Sequence, residues 1–260
     1  MTVFSLELKR GRLALIIWTA AIAAMLAISI LIYPEMKAQM DALGEMFSDM
    51  GSFSEAFGMD MVNFGEFKGY FATECGNVLG LGGALYAAIL GIAVLSKEQK
   101  DRTADFLLTH PISRRRVCAE KLLAVYVQIL ILNLAVAVVS LFATLAIGER
   151  IDAKIFVLIF LAFFLMQIEI ASIMFGLSAF ISSSGIGIGI GVALLLYFLN
   201  IIANITEKTE FLKYITPFAY ADSAAVASNA CIEARYLAVG AAFTVIALAA
   251  GFIKFDKKDI

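Results

Sequence analysis

Residues 13–33, LALIIWTAAIAAMLAISILIY, form a run of 21 residues without a charged side chain. A helix of this length rises about 1.5 Å per residue and matches the roughly 30 Å hydrocarbon core of a lipid bilayer. Five further apolar runs follow, at residues 76–95, 122–147, 155–181, 186–205 and 236–253. The sequence therefore predicts an all-α, polytopic membrane protein with six transmembrane helices, built as a single domain over residues 1–260.

The composition agrees with lipid as the solvent of most of the chain. Of the 260 residues, 62% are hydrophobic and 16% are charged, whereas soluble domains have roughly 45–50% and 25%. The net charge of −2 provides no basic excess to neutralise phosphates, which excludes a general nucleic-acid-binding protein. Three cysteines at unrelated spacings form neither a disulfide framework nor a metal site.

The positions of lysine and arginine orient the predicted helices. If the amino terminus is cytoplasmic, thirteen basic residues lie in cytoplasmic segments and seven lie in exterior ones. Because cytoplasmic loops of membrane proteins carry the excess of positive charge, both termini are expected in the cytoplasm. This orientation makes residues 96–121 a cytoplasmic segment and residues 34–70 and 206–235 exterior loops of a multi-pass protein in the cell membrane.

The first exterior loop is acidic and rich in methionine. Six of the ten methionines lie between residues 36 and 61, and apolar residues recur there at helical spacing, which predicts an amphipathic helix at the membrane surface. Thioethers bind Cu(I), but no Cys or His joins this cluster, so we expect the methionines to fill an irregular apolar face. Cys75 and Cys231 fall on the same predicted side, where a disulfide and two free thiols are both compatible with the sequence, and we favour the thiols.

The cytoplasmic segment contains a short predicted helix. Ser96 and Gln99 fit a capping box that starts this helix near Lys97, and Pro111 ends it. One face of this helix is charged and consists of Glu98, Asp101, Arg102 and Asp105. The opposite face is apolar and consists of Ala104, Leu107 and Leu108. Ser113 is placed to cap the next helix. The first turn of that helix holds Arg114, Arg115 and Arg116, which we expect to face lipid phosphates or a partner, or simply to mark the cytoplasmic side.

The run TADFLLTHPISR at residues 103–114, followed by Lys121, resembles the cytoplasmic signature of ABC-2 type transporter permeases. In that family an acidic stretch leads to Gly-Thr, an acidic residue, Leu-Leu, Pro, a small apolar residue, Ser/Thr-Arg, and a Lys entering the third helix. The matching residues are Glu98, Thr103, Asp105, Leu107, Leu108, Pro111, Ile112, Ser113, Arg114 and Lys121. Arg102 replaces the usual Gly. Residues 4–10 resemble the family's N-terminal amphipathic helix, and residues 214–222 resemble its Pro-Phe-x-Tyr stretch.

The resemblance implies the transmembrane half of an ABC exporter. Two permease subunits pair in such a transporter, as a homodimer or with a similar partner, and two ATPase subunits dock beneath them. The helix between the second and third spans then couples to the ATPase, a role that falls here on Glu98, Asp101, Arg102, Thr103, Asp105, Leu107, Leu108, Pro111 and Arg114. The chain has no Gly-Lys dipeptide and therefore no P-loop. We expect no cofactor in this chain, and ATP and Mg²⁺ on the partner ATPase.

Polar residues inside the predicted spans are further candidates for function. Glu169 and Gln167 lie in the fourth span, Asn133 in the third and Asn200 in the fifth. A charge near the bilayer centre needs a partner. Glu169 therefore either lines the transport pathway or binds a cation, or it is a protonated carboxyl that hydrogen-bonds another helix in a structural role. The candidate partners are Gln167 and Ser172 nearby in the sequence, and Gln128, Asn133, Asn200 and Asn204 on other helices.

Glycine spacing in the fifth span predicts close helix packing. Gly187 and Gly191 share one face, as do Gly185 and Gly189, and such pairs let two backbones approach within the subunit or at a dimer seam. A gating hinge is the alternative role, and we favour packing. The single histidine, His110, leaves no His-based metal site or nucleophilic triad, so we expect no enzyme in this chain. A secondary transporter that works without an ATPase is the alternative, although the sequence shows no repeated halves.

Overall fold

The computed structural model describes residues 3–37, 66–100, 113–181 and 185–257, without the side chains of residues 97–100 and 207. Within these ranges the chain is helical and has no strand, and six helices are long and apolar enough to cross a membrane, as the sequence predicts. The first is α1 (Val3–Lys37), and the second consists of α2 (Phe67–Cys75), a π-helical turn (Gly76–Gly80) and α3 (Leu81–Lys100). The others are α4 (Arg114–Ala146), α5 (Ala153–Ser178), α6 (Ile186–Ile205) and α8 (Ala234–Asp256).

Two short helices occupy the connection between α6 and α8. They are a 3₁₀ helix (Glu207–Tyr214) and α7 (Ser223–Asn229). The predicted methionine-rich helix lies largely outside the described residues, as do residues 101–112 of the predicted coupling segment. The side of the membrane that each terminus faces stays a prediction.

The two helices at the centre of the bundle are α3 and α5. They make the most extensive helix contact of the fold, and α6 packs on α3 while α8 packs on α5. A second close pair, α1 with α4, lies beside them. The central helices are mostly buried, whereas α6 and α8 expose most of their apolar surface. Side chains such as Phe142, Val245 and Ile246 are about two thirds exposed, which suits a surface solvated by lipid rather than water.

The second spanning helix begins at Phe67, nine residues before the predicted start at Gly76. The sequence signal is weak there because Thr73, Glu74 and Asn77 interrupt the apolar run. Aromatic packing stabilises this first part instead, with the Tyr33 ring 5.0 Å from the rings of both Phe67 and Tyr70. The π-helical turn then joins α2 to α3 without a break.

The predicted helix start near Lys97 is wrong. Ser96 lies inside α3, which runs through Lys100, and is 1% exposed. Its hydroxyl donates to the Ile92 carbonyl oxygen at 2.8 Å, so it bonds back within its own helix rather than capping a new one. The second predicted cap is confirmed, because the Ser113 Oγ accepts from the Arg116 backbone N–H at the start of α4.

The connection between α6 and α8 is inserted into the bundle rather than lying on its surface. Thr216 donates from Oγ1 to the Leu196 carbonyl oxygen at 2.8 Å, and Leu196 lies near the middle of α6. Phe218, Tyr220 and Ala224 are at most 6% exposed. Helix α7 contacts both α2 and α5, so this segment forms part of the core on the side that the sequence predicts to be exterior.

The two glycine pairs of α6 have different environments. A Cβ built on Gly189 would lie 2.8 Å from Ile92 Cγ2 and 3.1 Å from the Ala88 oxygen, and one on Gly185 would lie 2.8 Å from Ile92 Cγ1. These glycines let α6 approach α3 closely. A Cβ on Gly187 or Gly191 would meet no atom of the described chain within 4 Å. The packing inside the subunit therefore uses the pair 185/189, and the face of 187/191 stays open.

Gly189→Leu should destabilise the subunit, whereas Gly191→Leu should leave its stability unchanged. The first substitution forces a side chain against Ile92 and the Ala88 carbonyl, and such overpacking costs about 1–3 kcal/mol. The second adds the same side chain to the open face of the same helix, so it is a matched control for volume and hydrophobicity. Thermal unfolding of the two purified variants in detergent measures the difference. Equal stability of both variants would contradict the α3–α6 packing.

Candidate functional site

Asn133 and Gln167 form a buried polar pair between α4 and α5. The Asn133 Nδ2 donates to Gln167 Oε1 at 2.7 Å and to the Ile129 carbonyl oxygen of its own helix at 2.9 Å. Asn133 is 4% exposed and Gln167 is fully buried. The pair thus lies inside one subunit and joins two helices, and the Asn133 Oδ1 and Gln167 Nε2 are buried without a hydrogen-bond partner.

Glu169 has a different partner from those that the sequence offered. Its Oε2 accepts a hydrogen bond of 2.8 Å from the hydroxyl of Tyr220, in the inserted segment before α7. The backbone of α8 approaches this carboxyl at Gly240, where a Cβ would collide with Oε2. Ser172, one of the expected neighbours, instead bonds Tyr126 at 2.6 Å. Glu169 is 3% exposed, an arrangement that favours its structural alternative over pathway lining.

Tyr220 is the residue that sequence reasoning missed at this position. It stands in the stretch Pro217-Phe-Ala-Tyr, whose sequence indicates only a resemblance to the family pattern. Burial and the adjacent Glu169 carboxyl both raise the pKa of Tyr220 above its usual value, so the phenol keeps its proton and acts as the donor. A tyrosine three residues after a proline, in a loop predicted to be exterior, was the available signal, but only the fold shows that its side chain is buried.

Asn200 belongs to a separate polar region. It lies on α6 and lines a cavity of about 60 Å³ together with residues of α2 and of the inserted segment. The structure therefore does not bring the four predicted intramembrane polar residues into one site. Asn133 and Gln167 form one pair, Glu169 pairs with Tyr220, and Asn200 borders the cavity.

A buried ion pair joins α1 to α4 near the predicted cytoplasmic side. The Lys121 Nζ lies 2.6 Å from Glu7 Oε1, and the two side chains are 1% and 5% exposed. Lys121 also donates to the Val94 carbonyl oxygen of α3 at 3.4 Å. In the sequence, Lys121 stands out only through the family resemblance, and nothing there gives Glu7 a role of its own. Both belong to the lining of a cavity of about 260 Å³ that also includes Arg10 and Gln128.

Of the predicted coupling residues, Arg114 is the one whose side chain the structure describes. Its Nη1 donates to the Asp256 carbonyl oxygen at 3.4 Å, and Arg115 forms an ion pair of 2.9 Å with the Asp256 carboxylate. Arg116 pairs with Glu120 one turn later. These contacts hold the start of α4 against the end of α8. Asp101, Arg102, Thr103, Asp105, Leu107, Leu108 and Pro111 lie outside the described residues, and so does the side chain of Glu98.

The family model described as ABC-2 family transporter protein matches residues 1–260. The chain belongs to the ABC-2 transporter family. No curated protein and no solved structure matches the chain. This ABC-2 family protein is accordingly a multi-pass membrane transport permease. Members of its family are transport components rather than catalysts.

In this ABC-2 permease, two of the buried pairs lie in opposite regions of the helix bundle. Tyr220–Glu169 fixes the inserted segment to α5, and Lys121–Glu7 fixes the opposite region, where α1, α3 and α4 meet. Among the described residues, no group of three or more His, Cys, Asp or Glu side chains is placed to hold a metal ion. Cys75 and Cys231 are free, the first buried and the second exposed.

Tyr220→Phe should destabilise this ABC-2 permease by about 1–3 kcal/mol, because the buried carboxyl of Glu169 loses its hydrogen-bond donor. Unfolding in detergent measures the change, and Tyr236→Phe is the matched control because the buried Tyr236 hydroxyl has no hydrogen-bond partner in the structure. In the Glu169→Leu background the effect of Tyr220→Phe should largely disappear. Additive losses from the two substitutions would show that the two side chains do not interact.

Lys121→Met should cost about 3–5 kcal/mol, because it leaves the Glu7 carboxylate buried without its ammonium partner. Adding Glu7→Gln should recover much of that loss, since no uncompensated charge then remains. The control is Arg116→Met, which removes an exposed partner of Glu120 and should cost about 0–1 kcal/mol. The same unfolding measurement serves all three variants, and a Lys121→Met loss no larger than that of Arg116→Met would refute a buried pair.

Proposed function

We propose that this chain is the permease subunit of an ATP-driven exporter in the cell membrane. Two permease subunits form the transport pathway, and a separate ATPase subunit binds ATP and Mg²⁺ and supplies the energy. The membership in the ABC-2 family and the six apolar helices support this assignment. The absence of a Gly-Lys dipeptide from the sequence agrees with a separate ATPase.

The observation that carries the coupling part of the proposal is the junction at Lys121. The proposed coupling residues connect the end of α3 to the start of α4. Lys121 of α4 bonds the Val94 carbonyl of α3 and the Glu7 carboxylate of α1. A displacement of the coupling segment would therefore act on three spanning helices together, since their ends are joined by buried contacts.

The open face of α6 supports the pairing of two subunits. Gly187 and Gly191 have no described atom near their Cβ positions, and Ile188, Leu195 and Phe198 on the same helix are at least half exposed. Small residues beside large apolar ones are typical of helix contacts in membranes.

In the proposed dimer, Gly191→Leu should keep the stability of the subunit but shift the purified protein from dimer toward monomer, as measured by light scattering.

The pathway itself is expected to accept an amphiphilic or apolar cargo. Many of the buried polar side chains bond another group of the same subunit, as in Asn133–Gln167 and Glu169–Tyr220. The surfaces that remain open to a partner subunit or to lipid are dominated by Ile, Leu, Val and Phe. Few charges are therefore available to bind a highly charged substrate.

Leu107→Asp combined with Leu108→Asp should abolish co-purification of the ATPase while the permease still inserts and folds. The sequence places both leucines on one apolar face, and burial of each is worth about 1.5–3 kcal/mol against about 0–1 for a rim charge pair. Asp105→Lys should weaken ATPase binding modestly and in a salt-dependent way. The measurement is affinity purification of the tagged permease from membranes, followed by ATPase turnover.

Lys208→Asp is the control, because it makes a comparable charge change in the segment predicted to be on the opposite side of the membrane. It should leave ATPase recovery unchanged. Normal recovery and stimulated turnover with the double Asp variant would remove the proposed coupling role. Transport by the purified permease without any ATPase would instead support the secondary-transporter alternative.

A further inference from the structure

The cavity of about 60 Å³ beside Asn200 has an unusually polar lining for the interior of this bundle. It lies where the π-helical turn, α6 and the inserted segment meet. Its polar lining residues are Thr73, Asn77, Asn200, Asn204, Asp222 and Ser223. A water molecule needs about 10–15 Å³ of such volume, so the cavity has room for a small ion or an ammonium group with a few waters.

Two oxygen atoms in this lining are buried without a hydrogen-bond partner. They are the Thr73 Oγ1 and the Asn200 Oδ1, and Thr73 is 4% exposed. An unsatisfied buried polar atom costs about 1–3 kcal/mol, and where two such atoms line one polar cavity a bound water or ion is the explanation that the cavity has room for. A carbonyl oxygen only accepts, and the Asn200 oxygen therefore calls for a donor or a cation.

The charge of the cavity lining favours a cation over an anion as the bound group. Asp222 is the one charged residue among the described cavity residues, and no Lys or Arg joins them. Its Oδ1 accepts from the backbone N–H groups of Ala224 and Ala225 at 3.0 and 3.1 Å. Burial raises the pKa of Asp222, while these N–H groups, Lys213 and Asn204 oppose the shift. An added cation would further stabilise the ionised carboxylate, and an anion would be repelled.

We propose that this cavity binds one small monovalent cation through the Asp222 carboxylate and the oxygens of Thr73 and Asn200. The cation is either an alkali ion or the ammonium group of a transported molecule. One carboxylate suits a single positive charge, because calcium sites use several charged oxygen ligands. The rings of Tyr197 and Phe218, whose centroids are 5.5 Å apart, also border the cavity and favour a cation over an anion.

The backbone that borders this cavity is also unusual, because it includes a π-helical turn. The π-helical turn Gly76–Gly80 supplies Gly76 and Asn77 to the lining, and π-helical turns within α-helices occur frequently at functional sites. A Cβ on Gly76 would lie 2.8 Å from Ser223 Oγ, so the turn brings the second spanning helix directly against the inserted segment. The binding inferred here does not depend on the proposed ATPase coupling, and it is tested on the permease alone.

The experiment measures the thermal stability of the full-length permease in detergent, at constant ionic strength. The reference salt is N-methyl-D-glucamine chloride, whose bulky cation does not fit the cavity. Sodium, potassium, ammonium and methylammonium chlorides then replace it stepwise. We expect a saturable rise of the melting temperature, and direct titration with radioactive sodium or labelled methylammonium gives the affinity and stoichiometry. A response to the alkali ions identifies an ion site, and a response to ammonium and methylammonium alone identifies recognition of a cargo.

Three variants decide whether the cavity is responsible. Asp222→Asn still caps α7 but removes the charge, so it should abolish the saturable response. Thr73→Val keeps the side-chain shape, removes one oxygen ligand and should raise the Kd about tenfold. Asp152→Asn is the matched control, because the Asp152 Oδ1 caps α5 through two backbone N–H groups in the same way but outside the cavity. It should bind like the wild type.

Several outcomes would overturn the proposal. These are an equal response to all the salts, a saturable response retained in both Asp222→Asn and Thr73→Val, and loss of the response in Asp152→Asn. If Asp222→Asn does not fold, the Thr73→Val titration still decides, because an unchanged Kd there contradicts coordination by Thr73.

Discussion

The fold depends on one constraint, which is that polar groups in the hydrocarbon region must find partners inside the protein. Apolar side chains alone specify adjacency poorly in lipid, because the lipid tails are as apolar as the side chains. The buried pairs supply the missing specificity. Asn133–Gln167 joins α4 to α5, Lys121–Glu7 joins α4 to α1, and Tyr220–Glu169 joins the inserted segment to α5. Breaking any of them would remove a buried hydrogen bond or ion pair between two segments, and this cost keeps the helices in register.

The number of spanning helices could be predicted from sequence because the length of an apolar run is a local property. The start of the second helix could not, because its first nine residues are stabilised by Tyr33 and other aromatic side chains from distant parts of the chain. Ser96 shows the same limit. A serine before Gln99 satisfies the local pattern of a cap, yet the hydroxyl bonds the Ile92 carbonyl because the helix simply continues.

The candidate sites were predictable as residues but not as pairs. Glu169 was identified because a carboxyl in an apolar run is costly, and that cost is visible in the sequence. The sequence indicates partners on the same or on neighbouring spanning helices, whereas Tyr220 comes from a connection that the sequence predicts to be a loop. The glycines of α6 illustrate the same difficulty, since two equivalent pairs exist and only the position of Ile92 shows that Gly185 and Gly189 are the buried pair.

The two regions of polar contacts suggest how the proposed exporter would transmit motion from one side of the membrane to the other. At the predicted cytoplasmic side, Lys121 holds the ends of α1, α3 and α4 together. On the other side, the inserted segment is bonded to α5 through Tyr220 and to α6 through Thr216. The extensively packed pair of α3 and α5 lies between them. Because a packed core does not deform continuously, motion at the coupling segment would pass through this pair as a shift of whole helices. The inserted segment would have to follow, since its polar contacts cannot be exchanged for water in the interior of the bundle.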